Sequence, residues 1–328
     1  MNSSNILLKN GPGVLALALC AALFFGAAYA DDRTYAEKLG WGPDDKVVMF
    51  HDDDPGMAYS VNLGSIEAIE NGVVTSVSIM MPCAWVDDFV DYLEENPDVC
   101  AGLHLTLTSE FSRHRWGPLS GIDVVPGLVD EDGYFYRSVI DVVRNATADE
   151  VEKEIRTQID MAERMGIDIT HLDSHMGTLF SSPEFFERYV KVGIEKNIPI
   201  LLATGLVGET DPRLAFLRQA ADRVWDAGLP VLDYLHAGSY DWDGDKTDKY
   251  IELLESLEPG LTQIIVHAAR PTEDFDRFTS SGPTRYADLR AMTDPRLREY
   301  IEEEGIILTS WRELKERRDR VAEEEAAE

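Results

Sequence analysis

From about residue 46 to residue 309, short runs rich in Val, Ile and Leu alternate with longer stretches whose apolar residues recur at helical spacing. The runs at 47–51, 74–81, 100–107, 167–173, 198–203, 230–235, 261–267 and 306–309 predict strands. The intervening segments 58–71, 85–95, 147–165, 183–196, 210–227, 243–256 and 286–304 predict helices. Strands separated by helices pair in parallel, and seven or eight such units suit an α/β chain closed into an irregular (β/α) barrel of mostly parallel strands in a single domain. A doubly wound open sheet is the alternative. Thr147 and Glu150 form a capping box for the helix at 147, which gives the sequon Asn145-Ala146-Thr147 a structural reason without a glycan. The connection from about 108 to 146 far exceeds the usual few residues and carries Phe111, His114, Trp116, Phe135 and Tyr136. Long connections after barrel strands shape the catalytic face.

The first thirty residues form a separate object. Lys9 precedes the apolar run "GVLALALCAALFFGAAYA", which ends on Ala28-Tyr29-Ala30 and is followed by two aspartates. That reads as a secretory signal, with an uncleaved anchor as the alternative. The expected organisation is a signal at 1–30, an extension at 31–45 and the barrel at 46–328, ending in an acidic, frayed helix. A secreted or periplasmic protein of a bacterial type is expected, with no membrane contact after cleavage. Lys plus Arg number 30 against 61 Asp plus Glu, a formal charge of -31. Such a chain repels nucleic acid and anionic membranes, so neutral or cationic ligands fit it better. Cys83 and Cys100 fall toward opposite ends of neighbouring strands and are expected to be buried free thiols.

Polar residues gather at the strand ends. In "FHDDDPGM", Phe50 to Met57, a histidine and three aspartates follow directly on an apolar run. Adjacent carboxylates repel one another, so the run needs solvent or a cation. In "AGLHLTLT" the two-residue period puts Gly102, His104 and Thr106 on one face; in "DITHLDSH" it does the same for His171, Asp173 and His175. "TQIIVHAAR" ends its strand on His267. All four clusters fall at carboxyl ends of strands, the catalytic face of β/α barrels. One carboxylate with two imidazoles is a coordination set that leaves positions open for water and substrate. His114 and His236 have no motif around them and read as surface or packing residues.

The stretches "VVMFHDDDPGMAYSVNLGSIEAIENGVVTSVSIMMP", "GLHLTLT" and "THLDSH", in order within residues 46–310, resemble the YdjC-type carbohydrate deacetylases, whose best-known members remove an acetyl group from chitooligosaccharides. The resemblance implies an irregular β/α barrel and a divalent metal held by one Asp and two His. It makes Asp54, His104 and His175 the metal ligands, Asp53 the general base and His267 the acid that protonates the departing amine. His171 and Asp173 become supports for metal-bound imidazoles. His51 and Asp52, which replace smaller or neutral residues of the family pattern, take similar supporting places. No further cofactor-binding residue is implied. The mixed nitrogen and oxygen donors suit zinc, whereas the family is often described with magnesium. Two departures bear on the substrate: "DSHMGTLF" replaces the frequent "DSHHHVH", putting Met176 and Gly177 where histidines line the site, and Ala268 replaces the usual Pro after His267. The expected activity is metal-dependent removal of acetyl from an N-acetylated sugar or oligosaccharide. The alternatives are another metal-dependent ester or amide hydrolase on the same barrel, or a glycan-binding protein that has lost turnover.

Overall fold

Eight parallel strands carry the architecture in a computed structural model that describes residues 33–207, 214–242 and 244–327. The signal expected at 1–30 lies outside these residues. The strands are β1 (Lys46–Asp53), β2 (Ser76–Ile79), β3 (Ala101–Leu105), β4 (Leu172–Ser174), β5 (Ala203–Leu206), β6 (Leu232–His236), β7 (Gly260–Val266) and β8 (Ile307–Leu308). Their order is β4-β3-β2-β1-β7-β6-β5, with β8 added beside β1. β1 is the spine. One edge pairs with β7 from Lys46↔Gly260 to Asp52↔Val266, while the other is shared by β8 at Val47 and Val48 and by β2 from His51 to Asp53. Phe50, Val48, Leu103 and Leu105 are fully buried, as side chains on the helix-covered outer face of barrel strands must be.

The sheet curls until β4 meets the segment before β5. A single parallel bridge, Leu172↔Ile200, makes that closure. The Leu172 N–H donates to Pro199 O at 2.8 Å, and the Leu201 N–H to Leu172 O at 2.8 Å. The result is a β/α barrel with a narrow seam. Arg33–Glu328 form one compact unit. No helix among the described residues is long and apolar enough to cross a membrane.

Three expectations are corrected in detail. The strand expected at 167–173 begins only at Leu172, although Thr170 N–H and His171 O already bond to the β3 backbone. The strand expected at 198–203 starts at Ala203, because the residues before it serve the seam. The helix expected at 286–304 is two helices, Gly282–Met292 and Pro295–Glu303. Pro295 lacks the N–H that a continuous helix needs, and the Asp294 side chain caps the new start by accepting from the Arg296 N–H. The long connection after β3 is partly structured, with a short helix at Val139–Asn145, and it buries Trp116, Leu128, Phe135 and Val142. The helix Ala148–Arg164 follows with its capping box formed. Cys83 and Cys100 are free and buried.

Candidate active site

The carboxyl ends of β1, β3, β4 and β7 converge, and local backbone geometry aims their side chains. Asp54 follows β1 with φ of 81°, a left-handed conformation that costs energy for any residue but Gly. It is held there by the next turn: the Pro55 carbonyl accepts from Met80 N–H at 2.8 Å, and Gly56 N–H donates to the Asn62 amide oxygen at 2.7 Å. His104 lies within β3. His175 follows β4 and opens a short helical turn, His175–Phe180, in which Met176 and Gly177 both have positive φ.

Asp54, His104 and His175 are all buried, and a ligand atom from each lies within 4.8 Å of the others. Asp54 Oδ1 stands 3.4 Å from both His104 Nε2 and His175 Nδ1. The other oxygen, Oδ2, accepts from Arg285 Nη2 at 2.6 Å. Each imidazole has a carboxylate behind its second nitrogen: Asp173 Oδ1 lies 2.5 Å from His104 Nδ1, and Glu110 Oε2 lies 3.2 Å from His175 Nε2. Burial by itself would raise the Asp54 pKa, but Arg285 and His175 outweigh it and hold the carboxyl well below its usual range. Burial also opposes charge on His175, yet Glu110 and Asp54 prevail and lift it to about 10.

A divalent cation fits these residues. Asp54 Oδ1 is a buried, ionised oxygen with no hydrogen-bond partner among the described residues, and two imidazole nitrogens face it. Arg285 balances the carboxylate's charge through Oδ2, which leaves the lone pairs of Oδ1 and the two facing imidazole nitrogens as the donor set that a cation takes.

Asp53 occupies the neighbouring place. Its Oδ2 is 3.7 Å from His104 Nε2 and 3.7 Å from His267 Nε2, while its Oδ1 accepts from Ser78 Oγ at 3.3 Å. His267 follows β7. Its backbone N–H donates to Asp288 Oδ2 at 3.3 Å, and burial together with Arg285 pushes its imidazole down to about 4. His267 is therefore neutral at neutral pH until a proton is delivered to it.

Behind these groups lies a second polar layer. His51 Nε2 sits 3.0 Å from Asp173 Oδ2 and 3.3 Å from Asp53 Oδ1. Burial works against charge on His51, but the two carboxylates outweigh it and raise its pKa to about 10. Asp52 turns away from the metal trio and accepts from the Ala268 N–H at 2.5 Å; burial raises its carboxyl to about 8. Asp173 supports His104 directly. His171 lies further back, edge-on to His51 at 4.8 Å and stacked on Trp311 at 5.2 Å, and it is linked to the trio through His51 and Asp173. His114 Nε2 donates to Met57 O at 2.8 Å, and His236 packs near Trp242.

Glu110 and Arg285 were not anticipated. Glu110 falls two residues beyond "GLHLTLT", on the long connection, and nothing in its local pattern marks it. Arg285, in "GPTRYADLR", reaches Asp54 across 231 residues of sequence.

Residues 47–303 match the family of YdjC-like proteins, and the chain belongs to that family. Among curated relatives, a carbohydrate deacetylase of Thermoanaerobacter pseudethanolicus is 30% identical over 270 residues, covering 82% of this chain and 100% of the relative. A carbohydrate deacetylase of Thermus thermophilus is 31% identical over 280 residues, covering 85% of this chain and 97% of the relative. The crystal structure of an Enterococcus faecalis V583 protein named for cellobiose-phosphate cleavage shares the fold, with a TM-score of 0.71 at 22% identity over 81% of this chain and 98% of that one.

Proposed function

We propose that this chain is a metal-dependent hydrolase that removes an acetyl group from an N-acetylated sugar or oligosaccharide. The observation that carries the reading is the unpartnered Asp54 Oδ1 facing His104 Nε2 and His175 Nδ1, with Asp53 and His267 alongside. The relatives named carbohydrate deacetylases support the sugar. The signal-like segment at 1–30 supports a secreted or periplasmic location.

A divalent cation held by Asp54, His104 and His175 supplies a Lewis acid that polarises the acetamide carbonyl and makes a water more acidic. Two nitrogens and one oxygen suit zinc better than magnesium. Arg285 fixes Asp54 through Oδ2 and leaves Oδ1 for the cation. Asp53 takes the proton of the attacking water. His267, neutral beforehand and 3.7 Å from Asp53, receives a proton on Nε2 and delivers it to the departing amine. Acetate and a free amino sugar are the products.

The test compares Asp53→Asn with Asp54→Asn. Asp53→Asn should keep metal and sugar binding while acetate release falls about 10²–10⁴-fold, the usual contribution of a positioned base. Asp54→Asn should bind metal weakly and recover part of its activity when metal is added. Undiminished turnover in Asp53→Asn would sink the mechanism, and a reversal of the two phenotypes would exchange the roles. A protein that binds sugars but releases no acetate from any of them would be a binder instead.

A further inference from the structure

We propose that Tyr59 and Trp85 form a stacking platform for a sugar ring next to the one being deacetylated, so that the site is built for a chain of at least two rings. This rests on the proposed function and assigns it a binding surface that the metal trio and Asp53 do not provide.

Tyr59 opens the helix Tyr59–Asn71 that follows β1, and Trp85 immediately precedes the helix Val86–Glu95 that follows β2. Both therefore stand at the carboxyl end of the strands, the end that carries the metal trio. Their rings lie 5.0 Å apart at 34°, and the residues are 44% and 40% exposed. Large aromatic rings left this open to water forgo much of the benefit of burial.

The pair is also held firmly. Asn62, fully buried, accepts from Gly56 N–H at 2.7 Å, and its amide donates to Trp85 O and to Asp88 Oδ2, each at 2.9 Å. The Trp85 N–H donates to Gly56 O at 3.0 Å. Gly56 lies two residues after Asp54, so one buried amide locks the aromatic pair to the turn that presents the metal ligand. A platform fixed to the catalytic turn but open to solvent suits a ligand that continues out of the site.

Chemistry selects the occupant. The faces of Tyr and Trp take the apolar C–H face of a pyranose, whose hydroxyls remain in water. With 61 acidic against 30 basic residues, the chain repels a polyanion, so an uncharged glycan is favoured.

The probes are N-acetylglucosamine, its β1,4-linked dimer and tetramer, and N-acetylglucosamine carrying an octyl group in place of the second ring. Acetate release is measured for wild type, Tyr59→Ala, Trp85→Ala and Trp85→Leu; the last keeps apolar bulk should alanine impair folding. In parallel, binding of the tetramer is followed by calorimetry in the Asp53→Asn protein with and without Trp85→Leu, which needs no turnover. The expected result is a rise in KM of about five- to tenfold on dimer and tetramer with kcat within about twofold, an unchanged kcat/KM on the single sugar, and a matching loss of tetramer affinity. Unchanged KM and tetramer affinity would overturn the platform, as would equal losses on the single sugar. A loss confined to the octyl glycoside would overturn it in favour of an apolar aglycone. If wild type releases no acetate from any probe but tetramer binding still depends on Trp85, the proposed reaction fails and the platform stands.

Discussion

Asp173 and Glu110 differ in where they come from. Asp173 lies in β4, two residues before His175, whereas Glu110 arrives from the long connection after β3. His104→Ala and His175→Ala should each lose bound metal and acetate release together, because each removes one of the three proposed protein ligands; full metal content in both, by elemental analysis, would refute the assignment. Glu110→Gln is a subtler change. It should weaken metal binding about 10–100-fold in a chelator competition, as losses of such supporting carboxylates do, while activity returns at saturating metal. His51 offers a pH test. Its folded pKa, about 10, lies above its ordinary 6.5, so the stability it contributes is complete below the ordinary value and is lost as pH rises through the folded one. In metal-free protein, the advantage of wild type over His51→Gln in urea unfolding should be larger near about pH 6 than near about pH 10. An advantage that grew with pH would contradict a charged His51 between Asp53 and Asp173.

The helix Gly282–Met292 shows how one element serves several strands. Arg285 reaches Asp54 beyond β1, and one turn later Asp288 accepts from Lys246 Nζ at 2.9 Å, Tyr250 OH at 2.6 Å and the His267 N–H. Lys246 and Asp288 are both fully buried. Lys246→Met should therefore destabilise the fold by about 3–5 kcal/mol, since it leaves Asp288 without its buried cation; an unfolding midpoint equal to wild type would show that the pair is dispensable. Neither partnership was legible in the sequence, because both join residues dozens to hundreds of positions apart with no local pattern to mark them. What was legible is local. β1, β3 and β7 announced themselves by dense apolar runs, and His104, His175 and His267 by their places at the strand ends. β4 and β5 were misplaced by several residues because closure of the ring, not local propensity, decides where their ladders start. The broken helix at 286–304 had its signal in Pro295, which apolar spacing alone overrode.

At the scale of the whole molecule, the residues just after the expected signal belong to the barrel's packing. Thr34 caps the short helix Tyr35–Lys38, and Asp233 of β6 accepts from Tyr35 N–H at 2.7 Å, Ala36 N–H at 3.1 Å and Leu261 N–H at 2.9 Å. Tyr35 packs on Trp225, and Leu39 is buried. A chain starting at Asp31 should unfold at the same urea concentration as the longest soluble form, whereas one starting at Trp41 should unfold earlier, because Asp233 is left with one of its three backbone donors. Equal midpoints would show that the segment is ornamental. The seam between β4 and the residues before β5 bears on time rather than on strength. A ring held by full ladders elsewhere and by two hydrogen bonds at one point opens there first, so the amide protons of Leu172 and Leu201 should trade with heavy water sooner than those of β1. β4 carries Asp173, and His175 follows it, so an opening that starts at the seam and goes on to part β4 from β3 breaks up the Asp54, His104 and His175 trio; a cation bound by the proposed trio should slow that larger opening by about the ratio of its concentration to its dissociation constant.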